Sequence, residues 1–118
     1  MTQMKKARVG FRGRNLEIPV KEAGVFGKLR GLMFRTRKTC NLLFNFGASG
    51  RRAIHSCFVF FPFLALWLDK NNDIIEFKVV NPFRLHVLPK KEFKTLIELP
   101  INLKNRRIIN FIVGKGKV

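Results

Sequence analysis

From Cys57 to Leu68 the chain carries twelve apolar residues in a row, reading Cys57-Phe58-Val59-Phe60-Phe61-Pro62-Phe63-Leu64-Ala65-Leu66-Trp67-Leu68. Such a run leaves water on folding, so the rest of the chain has to be arranged around it. It is shorter than the roughly 20 residues a membrane-spanning helix needs, and Pro62 stands in its middle. It is also too long for one strand. The pattern predicts buried strands over 54–60 and 63–69, with Pro62 at a bulge or edge between them, because proline has no N–H to give a ladder.

A chain of 118 residues suits a single domain, 1–118, with a folded core over 7–114 and basic tails at both ends. Charge is its strongest compositional signal: 24 Lys and Arg against 7 Asp and Glu give a net +17. That excess repels itself in a compact state and favours a polyanionic partner. A hydrophobic content of 47% excludes a disordered basic tail. With 13 Phe, one Trp and no Tyr, aromatic bulk enters the core without hydroxyls that need partners. Cys40 and Cys57 are too few and too far apart to signal a disulfide framework or a zinc knuckle. The first residues lack the apolar segment of a secretory signal, which predicts a cytoplasmic protein.

Val9 and Phe11, then Leu16, Ile18 and Val20, alternate with polar neighbours and predict an N-terminal hairpin turning at Gly13-Arg14-Asn15. Between Lys21 and Arg30 the spacing of Val25, Phe26 and Leu29 allows a short helix. A strand is predicted over 41–46, and a hairpin of 63–69 with 74–80 around Lys70-Asn71-Asn72-Asp73, where Asn suits unusual φ. Residues 83–88 are expected extended, 93–99 as a strand, 102–107 as a helical turn and 108–113 as a last strand. Seven to eight short strands with one short helix make a mostly β barrel or sandwich.

Several of these segments stand in an informative order. Gly31-Leu32-Met33-Phe34-Arg35 is followed by Asn41-Leu42-Leu43-Phe44-Asn45-Phe46, then by His55-Ser56 leading into Phe61-Pro62 and Leu66-Trp67-Leu68-Asp69-Lys70. Val80-Asn81-Pro82-Phe83-Arg84, Pro89-Lys90-Lys91 and Ile97-Glu98-Leu99-Pro100 complete the series. Over roughly 7–114 this resembles the uncharacterised family called domain of unknown function 192. The resemblance implies a compact, mostly β fold with a short helix before the Gly-Leu-Met segment, and it implies no reaction. In that family's pattern a Met, a basic residue and a Pro-x-Asp follow the histidine; here Val59, Phe60 and Leu64 stand in those places. Loss of a cation and a carboxylate there weakens the case for a polar pocket shared with the family.

The usual chemical motifs are missing. His55 and Cys57 fall on one strand face, but apolar surroundings raise a thiol's pKa and leave it inert. His55 and His86 lack the further ligands a metal site needs. Gly114-Lys115-Gly116-Lys117 has phosphate-loop residues without the loop's motif. No catalytic residue, metal or cofactor is therefore expected.

Cations remain. Through residue 52 there are 13 basic and 2 acidic residues. The candidate nucleic-acid contacts are Lys5, Lys6 and Arg8 at the start, Arg12 and Arg14 on the first hairpin, and Arg35, Arg37, Lys38, Arg51 and Arg52 in loops. Lys104, Arg106, Arg107, Lys115 and Lys117 add a second group near the end. Arginine suits bidentate contact with phosphate. The expectation is a non-enzymatic module that holds structured RNA or a ribonucleoprotein, such as the ribosome, by phosphate contacts. Two alternatives are a small anionic ligand in a pocket near His55 and Arg84, and attachment to an anionic membrane surface.

Overall fold

A computed structural model describes residues 4–23, 32, 35–36, 39–56 and 59–114. Among them are six strands: β1 (Met4–Phe11), β2 (Arg14–Glu22), β3 (Leu42–Gly50), β4 (Phe63–Leu68), β5 (Ile74–Val80) and β6 (Phe93–Pro100). One helix follows, α1 (Arg106–Val113). The strands form one sheet in the order β1-β2-β3-β6-β4-β5. All neighbours are antiparallel except β2 and β3, which touch in parallel only at Lys21–Leu42 and Glu22–Leu43.

The sheet curls into a half-barrel until its first strand reaches the β4–β5 turn. There the Gly10 N–H donates to the Asn72 carbonyl at 2.9 Å, and Gly10 bridges to Asp73. A Cβ on Gly10 would fall on the Asp73 carboxylate, so any larger residue here would have to push that exposed side chain aside.

Alternation sorts the apolar residues onto two faces. Val9, Phe11, Ile18, Val20, Leu43, Leu64, Leu66, Leu68, Ile97 and Leu99 fill one, joined by Ile109 and Ile112 of α1. Leu42, Phe44, Phe63, Ala65, Trp67, Phe93 and Leu96 fill the other, packed against Leu32, Val59, Phe61 and Val87. Strand β4 is buried on both faces, which explains a run with no polar alternation.

The mostly β class, the pairing of 63–69 with 74–80 and the strands near 42 and 93 follow the sequence reading, and four details correct it. Among the described residues six strands replace seven to eight, because the described parts of 54–60 and 83–88 join through a single isolated bridge, Ile54–Val87, and the hydrogen bonds of Ser56 rather than through a ladder. Instead of a strand, 108–113 lies within α1, since Ile109 and Ile112, one turn apart, both pack into the half-barrel. The first turn is Arg12-Gly13, with φ of 50° and 76°, one residue earlier than expected. Positive φ at both central positions matches the right-handed twist of the flanking strands. Phe60 stands out from the core that was expected to take it, because the irregular segment turns Val59 and Phe61 inward. The helix predicted within 21–30 falls mostly outside the described residues, although β2 itself runs to Glu22.

Candidate nucleic-acid interface

The turn of the first hairpin carries the Arg12 guanidinium over the Phe11 ring, 5.0 Å from its centroid. Phe11 in turn meets Phe77 and Phe111 edge to face, at centroid distances of 5.9 and 6.0 Å. Phe111 belongs to α1, and Arg107 lies one helical turn before it on the same stripe. Packing of three phenylalanines thereby brings the basic hairpin tip, with Arg12 and Arg14, beside the basic helix. Lys104, Arg106 and Arg107 are all exposed, and the first turn of α1 holds no acidic residue. Cations at the positive end of a helix dipole are unfavourable by about 0.3–1 kcal/mol each, so their placement does not serve the helix.

Along the same hairpin the N-terminal cations face glutamates that the sequence keeps apart. Lys5 Nζ lies 2.5 Å from Glu22, while Lys6 and Arg8 lie 4.0 and 3.8 Å from Glu17. Register is the cause, since Arg8 stands opposite Glu17. All three pairs are largely exposed and hold the cations weakly.

The loop arginines divide. Arg52 lies 4.7 and 5.7 Å from the centroids of Phe46 and Phe93, and donates to the carbonyls of Phe93 and Ala48. It serves the fold. Arg51 is exposed, with Nε on the Pro89 carbonyl at 2.9 Å. Arg35 is half-buried, reaching Thr39 Oγ1 through Nη1. Arg37, Lys38, Lys115 and Lys117 lie outside the described residues, as does Cys57.

His55 and Arg84 are both exposed on neighbouring segments. Ser56 staples those segments: its N–H donates to the Arg84 carbonyl, its carbonyl accepts from Phe83 N–H, and its hydroxyl lies between Arg84 N–H and the Asn81 carbonyl, at 2.6 to 2.8 Å. No group of three or more His, Cys, Asp or Glu side chains among the described residues could hold a metal. No described helix is long and apolar enough to cross a membrane.

Two features escaped the sequence reading. A half-open cavity of about 280 Å³ lies at the mouth of the half-barrel, edged by Lys5, Arg8, Glu22, Asn45, Asn72 and Thr95. Its signal in the sequence is the polar residue that ends an alternating apolar series, Asn45 after Leu43 and Thr95 before Ile97. The second is Glu98, 5% exposed between Leu42 and Ala65 on the neighbouring strands. Burial pushes its carboxyl up to about 8.

Solved structures share this fold. A protein from Sinorhizobium meliloti 1021, described as a candidate transcription regulator, superposes with a TM-score of 0.73 at 18% identity, over 91% of this chain and 87% of that one. A protein of unknown function from Novosphingobium aromaticivorans DSM 12444 gives 0.72 at 12% identity, over 89% and 78%. Likeness at these identities establishes the fold alone. No curated protein matches the chain. Residues 11–110 match the family described as Uncharacterized ACR, domain of unknown function 192, and the chain belongs to that family.

Proposed function

We propose that the protein is a non-enzymatic binding module that contacts structured RNA or a ribonucleoprotein through its phosphates. The observation that carries this reading is the Phe11–Phe111 contact, which seats the basic Arg12–Arg14 turn against α1, the helix that opens with Arg106 and Arg107 just after Lys104. Neither the Arg12–Arg14 turn nor the Lys104–Arg107 segment contains a carboxylate that would neutralise it from within. Phosphate oxygens there would offset both the mutual repulsion and the helix dipole. Ribosomal particles are the most abundant surface of this chemistry and suit the expected cytoplasmic location.

The test is binding to a double-stranded RNA across a salt series. Affinity is expected to fall steeply with salt, and replacing Arg12, Arg14, Arg106 and Arg107 by Ala should lower the log–log slope by about 1 for each lost phosphate contact. Arg52→Ala is the control, expected to reduce stability and leave the slope unchanged. Binding that is absent, or insensitive to salt, refutes the reading. The cavity edged by Lys5 and Arg8 supports a second reading, a small anionic ligand, for which inorganic phosphate or a nucleotide would bind in the absence of RNA.

A further inference from the structure

Most of the described phenylalanines are buried or half-buried, but Phe60 and Phe83 are 59% and 54% exposed. Their rings meet edge to face, with centroids 5.4 Å apart and planes at 74°, so they form a corner in solvent. The corner is held from beneath by the hydrogen bonds of Ser56 to Phe83 and Arg84. Phe83 has φ of 61°, a region that bulky side chains avoid. Glycine or asparagine would be at ease there. The backbone is thus constrained in a way that keeps an aromatic ring in water against a second ring from a distant segment. Arg84 and His86, both exposed, alternate with Phe83 and with Leu85, and no acidic residue occurs from Phe77 to Lys91.

We propose that the Phe60–Phe83 corner is a stacking site for one unpaired RNA base, with Arg84 on the adjoining phosphate. This rests on the RNA reading above and adds the element selected, a base turned out in a loop or at an end. Every base has a π-face, so stacking on Phe is tolerant of sequence, and RNA loops present bases free to take it. Charge complementarity favours this occupant, since cations flank the rings on the same segment. Insertion into lipid needs apolar tips that project together beyond the charges, whereas here Arg84 and His86, both exposed, alternate with Phe83 and Leu85 along the segment.

Two RNAs of equal length and charge test the proposal: a hairpin with 2-aminopurine in its loop and a fully paired duplex. The unmodified protein is expected to bind the hairpin about tenfold more tightly and to change the loop's fluorescence as the base stacks. The double variant Phe60→Ala, Phe83→Ala should bind both RNAs with the duplex affinity and an unchanged salt slope. Phe83→Gly accepts the positive φ without strain, so it should melt at or above the temperature of the unmodified protein and still lose the preference. That separates loss of the ring from loss of the fold. Equal affinity for the two RNAs, with salt-dependent duplex binding kept, overturns the stacking site and leaves the phosphate reading in place. Absence of binding to either RNA removes both. Sedimentation with phosphatidylserine vesicles that depends on Phe60 and Phe83, without a hairpin preference, assigns the corner to lipid and also overturns the proposal.

Discussion

Glu98 is the residue whose chemistry departs furthest from its surroundings. Its carboxyl titrates at about 8 in the folded chain against an ordinary 4.5, because burial disfavours the charged form. Between those values the folded chain keeps a proton that the unfolded chain has released. Stability is therefore highest below pH 4.5 as far as this group is concerned, and is lost as pH rises towards 8. The slope within that window is about 1.4 kcal/mol per pH unit. Glu98→Gln should flatten the profile and make the variant the more stable protein above pH 8, as urea unfolding across a pH series would measure. The Ile97-Glu98-Leu99-Pro100 motif was visible in the sequence, but the layer that buries its carboxyl was not. Arg52 teaches the same lesson from the other sign: counted as a surface cation, it is absorbed between two rings and two carbonyls.

At the level of elements, α1 is the part that local pattern misassigned. Its Ile108-Ile109-Asn110-Phe111-Ile112-Val113 segment is rich in β-branched and aromatic residues, which favours a strand by propensity. The half-barrel overrides that preference, because a helix can seat Ile109 and Ile112 against the curled sheet while Gly114, at φ of 108°, ends it. Asn105 fastens the helix in place. Its amide nitrogen donates to Asn41 Oδ1 at 2.8 Å and to the Pro100 carbonyl at 2.6 Å, and Asn41 donates onward to the Pro19 carbonyl at 2.8 Å. This residue precedes the helix yet does not cap it, because its side chain is spent on Asn41, just before β3, and on Pro100 at the end of β6. Asn105→Ala leaves two buried acceptors without that donor and should cost about 2 kcal/mol. Denaturant unfolding would read that loss, and hydrogen exchange should locate the faster opening in α1.

For the molecule as a whole, net charge sets the conditions of stability. A chain at +17 carries self-repulsion that salt or a polyanion relieves. Heparin at low ionic strength should raise the melting temperature, with the gain shrinking as salt is added; a thermal melt with and without heparin in each buffer would show it. The sequence alone determined the class, because two-residue alternation and turn residues such as Asn72 act over a few neighbours and need nothing remote. It also determined the family, whose motifs are short and ordered along the chain. Tertiary structure decided which phenylalanines stay in water, which arginines are taken into the fold, and that the hairpin tip meets α1. Exposure depends on what arrives from elsewhere in the chain to cover a side chain, and no local pattern encodes that arrival.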